Sequence, residues 1–461
     1  MGWIVFVLLA GLEIALAVWT CTKGKEKNAH RKNRLIVRGA QVVVAGIALL
    51  LPLGQKWRFA PVLGFLVILL VIAGLAVLIR RSQEDGSKQP AGVIVSCALR
   101  VLLFGVFLIP AFVFTGYKGL PVSGEYQMGT ASAILIDKSR TDPFETDGSY
   151  REVPVHFYYP ETDGTNAEQF PLVVFSHGAF GYYESNTSTY MELASNGYVV
   201  AALDHPHHAF FTEDTDGNMV FADQDFIRRA SATGREAVME RSRQEELETF
   251  RAWMALRMAD MSFVLDELEK AGQDGGTDES WFLPEGDGDR MADVLSRTDL
   301  TRIGLMGHSM GGATSVGVGR ERDDVAAVID LDGTMLSEYT GVADGKYTVN
   351  EDPYPVPVLE FVNWGTYNEL AEYMEEYRAE GGRYPNDELM RHAVAGFTTT
   401  IRGTGHMDFT DLPMLSPVLG NLLGSGERDT AETMTIVNSL VLQFFGCYLK
   451  GEGAFSVESS Y

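Results

Sequence analysis

Long apolar runs crowd the first quarter of the chain, and shorter ones are spread over the rest. Four runs of roughly twenty residues cover positions 3–20, 35–53, 60–79 and 93–115. A helix of ~20 apolar residues spans a hydrocarbon core of ~30 Å. The pattern therefore predicts an all-α transmembrane region of four helices within residues 1–118. A cleaved secretion signal is the alternative for the first run, but no basic residue precedes that run.

Basic residues between the runs predict the orientation of the four helices. The connections after the first and third runs carry nine Lys and Arg residues, against three on the opposite side. Cytoplasmic connections are enriched in Lys and Arg, so the nine are expected in the cytoplasm. Both termini and everything after about residue 116 are then expected outside the cell membrane. The nine are Lys23, Lys25, Lys27, Arg31, Lys32, Arg34, Arg80, Arg81 and Lys88, and the three are Lys56, Arg58 and Lys118.

Two ionisable residues, Glu13 and Arg100, lie inside the first and fourth predicted spans. Each stands seven residues from the inner end of its run, so both are expected at one depth. Ionisable groups in a membrane are usually paired or functional. We expect an ion pair between the two helices, with snorkelling of Arg100 as the alternative.

Beyond residue 120, short β-rich runs alternate with helical stretches, which is the pattern of a largely parallel sheet covered by helices. Several of the runs are continuously apolar and end at Gly, Pro or Asp, as buried parallel strands do. Their order fits a hydrolase sheet, so we predict an α/β-hydrolase fold over residues 119–461 with a helical and acidic insertion at about 212–300. The candidate strands are 154–160, 171–177, 197–204, 302–307, 325–332, 356–363 and 397–403.

The sequence GHSMGG at 307–312 follows the candidate strand RIGLM and precedes GATSVGVG, a plausible helix start. In this strand–turn–helix context the pattern G-x-S-x-G is typical of a nucleophile elbow, in which glycines permit a sharp turn and the serine hydroxyl is exposed above the sheet. The amide dipoles of the following helix favour negative charge at its N-terminus. Ser309 is therefore the candidate nucleophile.

A serine nucleophile needs a base and an orienting carboxylate, and in this fold they follow the serine in the order acid, then histidine. Of the two histidines after Ser309, His406 lies in a loop after a candidate strand, whereas His392 lies in a probable helix, where a surface or packing role fits. The strand VAAVIDLDG offers Asp330 and Asp332. Asp332 is preferred because it stands at the strand's carboxyl end, directly before a glycine, and Asp330 is then structural.

An oxyanion hole requires preorganised N–H donors. One is the amide of Met310, the residue after the nucleophile. The second should come from a loop after an earlier strand, and LVVFSHGAFG at 172–181 supplies an HG turn. Ala179 is assigned, with Gly178 in reserve, and His177 is expected to stabilise this loop.

These segments together resemble the plasma-type platelet-activating factor acetylhydrolase family and its bacterial α/β-hydrolase relatives. The motifs are PVHFYYP, LVVFSHGAFG, GYVVAALDH, GHSMGGAT, LDG and TIRGTGHMDF, spread over about residues 120–450. The resemblance implies carboxylic ester hydrolysis without a metal or other cofactor, with Ser309, Asp332 and His406 as the triad and Ala179 and Met310 as oxyanion donors. The four predicted spans depart from the secreted mammalian members, and GHSMGG is shared with bacterial cutinases and polyester hydrolases.

Net charge separates the two regions of the chain. Beyond residue 120 there are 23 Lys and Arg residues against 58 Asp and Glu, a net charge of −35. Such acidity disfavours nucleic-acid binding, which needs a cationic surface. Three cysteines, Cys21, Cys97 and Cys447, imply no disulfide framework.

Four other features have competing interpretations. The segment DHPHH at 204–208 invites a zinc site, but its spacing matches no established one. The acidic segments 212–218 and 284–290 lack the ligand pattern of a calcium hand and are expected to be solvated loops. The helical stretch at about 222–271 is expected to cover the sheet, and part of 212–300 to act as a lid. Five aromatic residues are expected either in an acyl pocket or in the core: Phe180, Tyr182, Tyr183, Phe210 and Phe211.

The sequence thus favours a membrane-anchored serine esterase that acts on lipid or other small esters. The alternatives are a polyester hydrolase or general esterase, and a hydrolase-fold module that has become a non-catalytic sensor or scaffold. The sequence leaves the ester substrate and the oligomeric state open.

Overall fold

The computed structural model describes residues 2–23, 27–50, 60–79, 89–114, 117, 119–162, 168–231 and 242–461. It divides into two compact units. The first comprises Met1–Lys118 with Met414–Leu419, and the second comprises Gly119–Pro413 with Gly420–Tyr461.

The first unit contains the predicted apolar helices. Three stretches are long and apolar enough to cross a membrane: Trp3–Thr22, Ala29–Leu50 and Pro90–Ile109. A further apolar helix covers the third predicted span, although its part from Leu63 to Ile79 is shorter than the other three. The helices are α1 (Gly2–Thr22), α2 (Lys27–Leu50), α3 (Ala60–Ile79) and α4 (Pro90–Val113).

The second helix begins earlier than the predicted span 35–53, because basic residues assigned to a connection belong to its first turns. Arg31 donates hydrogen bonds to the carbonyls of Val77 and Leu78 at the end of α3, at 3.0 and 2.8 Å. Positions 51–53 lie outside the described residues, as do seven of the basic residues used for orientation, so the orientation stays a prediction. The seven are Lys25, Lys56, Arg58, Arg80, Arg81, Lys88 and Lys118.

The expected ion pair between Glu13 and Arg100 is present in the first unit, and a second arginine joins it. Arg100 Nη1 lies 3.1 Å from Glu13 Oε2. The other oxygen of Glu13 accepts hydrogen bonds from Arg38 and from Gln41, both on α2. The sequence interpretation missed Arg38, which lies inside the second predicted span and shares the carboxylate with Arg100.

The second unit is built on a nine-stranded sheet, and its six parallel strands and flanking helices confirm the α/β-hydrolase prediction. The sheet strands are β1 (Gln127–Thr141), β2 (Tyr150–Glu161), β3 (Phe170–Ser176), β4 (Val199–Leu203), β7 (Trp281–Phe282), β8 (Thr298–His308), β9 (Val325–Leu331), β12 (Val358–Asn363) and β13 (Gly396–Ile401). Their order in the sheet is β13-β12-β9-β8-β3-β4-β2-β1-β7, parallel from β13 to β4 and antiparallel from β4 to β7.

All seven predicted strands are present, but the long strand β1 was missed. It pairs antiparallel with β2 and carries small residues and polar ones that dilute its apolar pattern. Two separate hairpins pair β5 (Phe211–Glu213) with β6 (Met219–Phe221) and β10 (Tyr339–Ala343) with β11 (Lys346–Val349).

Ten helices follow residue 119 in the described part of the chain. They are α5 (Thr187–Ser195), α6 (Gln224–Ser231), α7 (Arg243–Asp274), α8 (Gly288–Arg297), α9 (Met310–Glu321), α10 (Trp364–Ala379), α11 (Pro385–His392), α12 (Leu412–Leu415), α13 (Pro417–Leu422) and α14 (Thr430–Lys450).

Alternating side chains of the buried strands feed two hydrophobic clusters, one on each face of the sheet. On β3, Val174 belongs to one cluster and Val173 to the other, as the two-residue period of a strand requires. Helix α7 packs on the first face and the C-terminal helix α14 on the second. The predicted sheet-packing role of the C-terminal segment is confirmed, and the parallel strands are held with their carboxyl ends at one edge.

Candidate active site

The predicted site residues follow the carboxyl ends of three parallel strands. Ser309 comes directly after β8, Asp332 directly after β9, and His406 five residues after β13. In open α/β sheets, ligands bind at this edge. A cavity of about 780 Å³ lies here, and Ser309, Asp332 and His406 all line it, together with Ala179 and Met310. The structure thus brings all five predicted residues to one cavity.

The backbone at Ser309 forms a strained turn between β8 and α9. Its φ is 55° and its ψ is −122°, a conformation that non-glycine residues rarely adopt. The turn is held because the amide of Ser309 donates to the Leu331 carbonyl at 2.8 Å. A Cβ added to Gly311 would lie 1.9 Å from the Ser176 carbonyl oxygen, so only glycine lets α9 approach β3 this closely.

Asp332 and His406 are hydrogen-bonded to each other. Asp332 Oδ2 lies 2.5 Å from His406 Nδ1. The carboxylate is also held by Asn363 at the end of β12, whose backbone amide donates to Oδ1 at 2.7 Å and whose side-chain amide donates to Oδ2 at 2.8 Å. Asn363 therefore fixes the carboxylate that orients the imidazole.

Among the described residues, no hydrogen bond joins Ser309 Oγ to His406. Ser309 and His406 nevertheless line the same cavity as Asp332. In ligand-free sites, catalytic hydrogen bonds are often long and shorten only when substrate binds. The imidazole of His406, which Asp332 orients, and the side chain of Ser309 therefore line one cavity, but no hydrogen bond joins them.

Two backbone amides belong to residues beside Ser309 that line the same cavity, those of Ala179 and Met310. Met310 is the first residue of α9, where an amide has no partner within the helix. A Cβ built on Gly178 would lie 3.2 Å from the Cβ of Ser309, so the turn that carries Ala179 packs against Ser309. Within the described part of the chain, the amides of Ala179 and Met310 have no hydrogen-bond acceptor. Both are thus available to a ligand oxygen.

A buried arginine that sequence reasoning missed supports this turn from α7. Arg257 is fully buried and donates to the His177 carbonyl at 2.6 Å and to the Gly178 carbonyl at 3.4 Å. Burial lowers the pKa of Arg257 to about 9, so the guanidinium stays protonated at neutral pH. The charge-assisted bonds hold the turn in place.

His177 closes the turn on itself. Its Nδ1 donates to the Gly178 carbonyl at 2.6 Å, and its Nε2 accepts from the His205 amide at 3.2 Å. Burial lowers the pKa of His177 well below its ordinary value, which keeps the ring neutral. Both ring nitrogens are occupied by backbone groups, as expected for a loop-stabilising residue.

Comparison with known proteins places the chain in a family. The model of platelet-activating factor acetylhydrolase, isoform II, matches residues 125–456. The chain belongs to this family. The match covers the whole sheet and all five predicted site residues.

Curated relatives agree with this family assignment at low identity. Platelet-activating factor acetylhydrolase of Cavia porcellus is 23% identical over 312 residues, covering 65% of this chain and 61% of the relative. The same enzyme of Gallus gallus is 24% identical over 299 residues, covering 61% of this chain and 63% of the relative. The chain thus spans about three fifths of the length of these relatives.

A solved structure shares the fold. The ferulic acid esterase from Streptomyces cinnamoneus aligns with a TM-score of 0.50 and 23% identity, covering 72% of this chain and 93% of the esterase chain. At this identity the likeness shows the fold alone.

In this member of the platelet-activating factor acetylhydrolase family, the residue before the serine is a buried histidine. His308 Nε2 donates to the His406 carbonyl at 3.1 Å, and the two rings lie 4.6 Å apart. Burial lowers the pKa of His308 well below its ordinary value, and the neighbouring His406 lowers it further. His308 therefore positions the loop of His406 as a neutral donor. The motif G-x-S-x-G leaves this position open, so the motif alone does not predict this role.

Asp330, the alternative acid, points into the protein. Its Oδ1 accepts the Gly333 amide at 2.9 Å, and a Cβ added to Gly312 would lie 1.7 Å from the same oxygen. Burial, together with Glu360 and Asp332, raises the pKa of Asp330 well above its ordinary value. Burial thus favours the neutral form of Asp330, which packs beneath the turn at Ser309.

The segment DHPHH at 204–208 belongs to a buried polar network in the second unit. His205 Nδ1 lies 3.0 Å from Asp260, and His208 stacks on Phe226 with 3.8 Å between ring centres. Arg151 donates to Asp260 at 2.8 Å and to Asp142 at 2.9 Å. These contacts give His205 a structural partner on α7 and His208 one on α6. Within the described ranges, no group of three or more His, Cys, Asp or Glu side chains is arranged to hold a metal ion.

The cavity wall differs from the predicted acyl pocket. Phe180, Tyr182, Tyr183, Phe210 and Phe211 make aromatic contacts with each other or with neighbours and do not line the cavity. Its aromatic wall comes instead from α7, from β12 and from the region of the β10–β11 hairpin and α11. These residues are Phe250, Trp253, Tyr339, Tyr347, Phe361 and Tyr384.

The insertion at 212–300 therefore contributes to the cavity through α6 (Gln224–Ser231) and α7 (Arg243–Asp274). Residues 232–241, which the predicted lid includes, lie outside the described residues. In the acidic segment 212–218, Asp214 Oδ1 accepts the amides of Asp216 and Asn218 at 3.0 and 2.7 Å, which makes a tight turn.

Proposed function

We propose that this chain is a membrane-anchored serine carboxylic ester hydrolase that works through an acyl-serine intermediate. The observation that carries the proposal is the hydrogen bond between Asp332 and His406 at the cavity that Ser309 also lines. Serine, acid and histidine follow one another along the chain in the order typical of α/β-hydrolases. Membership of the platelet-activating factor acetylhydrolase family supports the same activity.

In the proposed reaction, Ser309 Oγ attacks the ester carbonyl and His406 Nε2 accepts the hydroxyl proton. His406 then returns this proton to the leaving alcohol and afterwards activates the water that hydrolyses the acyl-serine. Asp332 holds Nδ1 of the imidazole at 2.5 Å, which leaves Nε2 free to act as the base. Asn363 keeps the carboxylate in place for this role.

The developing oxyanion is proposed to bind the amides of Ala179 and Met310. Each such donor stabilises the transition state by ~3–4 kcal/mol in enzymes where it has been removed. Arg257 and His177 act as positioning residues because they hold the turn that carries Ala179. The positive end of the α9 dipole favours the same negative charge.

The proposed substrates are acetylated or short-chain phospholipid and lipid esters, so the chain would act in lipid degradation. The curated relatives are named platelet-activating factor acetylhydrolases, and the cavity of about 780 Å³ is within the size range of small-molecule sites. Other small esters and polyesters are the alternative substrates. The ferulic acid esterase shares the fold, and the aromatic cavity wall suits an apolar ester.

The first unit is proposed to anchor the enzyme in the cell membrane by four spans. Three helices have the required length and apolar character, and α3 would provide the fourth. The excess of Lys and Arg in two of the connections supports an extracytoplasmic catalytic unit. The catalytic unit would then be on the side of the membrane to which lipid esters of the outer leaflet are exposed.

The proposed activity is tested with the full-length protein and its Ser309→Ala variant. Wild-type protein should hydrolyse p-nitrophenyl acetate and butyrate and react with a fluorophosphonate probe. The variant should lose both properties, with kcat reduced by about 10⁶-fold. If wild-type protein neither hydrolyses esters nor takes up the probe, the chain is a non-catalytic sensor or scaffold. If the variant retains turnover, Ser309 is not the nucleophile.

A chain-length series of esters, offered with and without phospholipid vesicles, tests the substrate class. Activity should be greatest on acetyl and other short acyl groups and should rise when the ester is presented in vesicles. Preference for long or aromatic acyl groups in solution would contradict the lipid proposal and favour the general esterase.

A further inference from the structure

The helices of the first unit enclose a polar cavity that the proposed hydrolase reaction does not use. Its volume is about 210 Å³, and its lining comes from α1, α2 and α4. The lining includes Glu13, Arg34, Ser96 and Arg100. A polar cavity between helices that are proposed to span a membrane is a candidate binding site, because polar groups at this depth are usually functional.

Among the described residues, the charges around Glu13 do not balance. Glu13 is almost fully buried and accepts hydrogen bonds from two guanidinium groups, Arg38 and Arg100. Gln41 completes this cluster, donating to Glu13 at 3.1 Å and to the Leu9 carbonyl at 3.2 Å. Two cations therefore face one carboxylate, and Glu13 is the only acidic side chain among the described residues that line the cavity. An excess positive charge in such a medium favours an anionic ligand.

An apolar groove continues from this cavity along α1 and α4. Its volume is about 830 Å³. Ala17 and Cys97 line both the polar cavity and the groove, so the two are contiguous. On α1 the groove extends from Trp3 to Val18, which corresponds to about 22 Å of helix. That length exceeds the ~15 Å depth of hydrocarbon in one leaflet.

We propose that the four-helix unit binds one phosphate-bearing lipid. The phosphate occupies the polar cavity and contacts Arg100, and the hydrocarbon chain lies in the groove between α1 and α4. Basic pockets between transmembrane helices bind anionic lipid headgroups on the cytoplasmic side, which is where the predicted orientation puts Arg100. The proposal rests on the proposed membrane location and not on the hydrolase activity.

The test uses full-length protein with Ser309→Ala, so that ester hydrolysis cannot consume the lipid. Native mass spectrometry follows binding of palmitoyl-oleoyl phosphatidylglycerol, the matching phosphatidylcholine and inorganic phosphate. One phosphatidylglycerol should be retained per chain, at least tenfold more tightly than phosphatidylcholine. Arg100→Gln should remove this preference, and Arg100→Lys should keep part of it. A preference that survives Arg100→Gln would overturn the proposed headgroup site.

Two alanines on lipid-facing surfaces test the groove. Ala98 lines the groove on α4 and is exposed, whereas Ala76 is exposed on α3 and does not line it. Ala98→Trp should lower phosphatidylglycerol retention at least tenfold, and Ala76→Trp should leave it unchanged. If both variants bind like the parent, or if inorganic phosphate binds while the lipid does not, the lipid proposal is wrong.

Cys97 provides a reporter of the position of the bound lipid. It lines both the cavity and the groove, whereas Cys447 belongs to α14 of the catalytic unit. Bound phosphatidylglycerol should slow the reaction of Cys97 with N-ethylmaleimide at least threefold and leave Cys447 unaffected. Equal protection of both cysteines, or of neither, would place the lipid elsewhere and contradict the proposal.

Discussion

Asp332 Oδ2 lies 2.5 Å from His406 Nδ1, although 74 residues separate the two along the chain. The sheet explains the proximity. Asp332 follows β9 and His406 follows β13, and only β12 lies between these strands in the sheet. Because the three strands are parallel, the loops after them meet at one edge. The acid–base pair is thus a direct consequence of strand order.

Substitution of Asp330 on β9 and substitution of Asp332 in the turn after it should differ sharply in their effect on kcat. Asp332→Asn should reduce kcat by about 10⁴-fold, because the amide would favour the wrong imidazole tautomer. Asp330→Asn should leave kcat within about threefold of wild type, since burial raises the pKa of Asp330 and a neutral amide replaces a neutral acid. The measurement is kcat on p-nitrophenyl butyrate.

Melting temperatures of both aspartate variants provide the control for folding. Equal losses of kcat in two folded variants would contradict the assignment of Asp332 as the acid. A larger loss for Asp330→Asn would exchange the two roles.

Arg257→Lys should reduce kcat by about 10²-fold and change KM little. Lysine keeps the charge but cannot form the fork of bonds to the carbonyls of His177 and Gly178, so the turn that carries Ala179 should shift. Loss of one oxyanion donor costs about 10²–10³ in kcat in other enzymes. The check is the separate determination of kcat and KM.

The matched control for Arg257 is Arg251→Lys, an exposed position on the same helix. It should keep wild-type kinetics. If Arg257→Lys lowers the melting temperature but leaves kcat unchanged, Arg257 has a structural role only.

Motif and strand order could predict the main features of this site from the sequence. The turn GHSMGG, the aspartate before Gly333 and the histidine after the last strand each carry a local signal. Positions such as Asn363 and Arg257 were missed because their roles depend on neighbours far away in sequence. Asn363 ends a predicted strand at the same sheet edge, which was a usable signal. Arg257 is a charged residue on the apolar face of α7, beside Met254 and Met261, which was another.

The cavity wall and the first strand were harder to predict, for physical reasons. Aromatic residues such as Phe180 and Phe250 have the same local pattern whether they line a cavity or fill the core. Strand β1 carries Gly129, Ser132 and Asp137, and its partners on β2 compensate for this weak intrinsic preference. Tertiary packing decides both cases.

Gly311→Ala should prevent folding of the catalytic unit or destabilise it by at least about 3 kcal/mol. The added Cβ would lie 1.9 Å from the Ser176 carbonyl oxygen and 2.7 Å from that of His177, and backbone cannot move away as a flexible side chain can. Gly276→Ala is the control, because no heavy atom lies within 4 Å of its added Cβ. Yield of folded protein and melting temperature are measured. If Gly311→Ala has the same melting temperature as wild-type protein, α9 does not pack as closely against the end of β3 as this structure shows.

The stability of the catalytic unit should fall as the pH decreases from about 6.5 towards 3. Burial lowers the pKa of His205 to about 3, and Arg257 lowers it further while Asp260 opposes both. Between these pH values the unfolded chain binds a proton that the native chain does not, so stability rises with pH. At ~1.4 kcal/mol per pKa unit, His205 contributes at most about 5 kcal/mol. His205→Gln should flatten the dependence of melting temperature on pH, whereas His392→Gln, outside this network, should not. Parallel curves of melting temperature against pH for wild-type protein and both variants would refute a buried neutral His205.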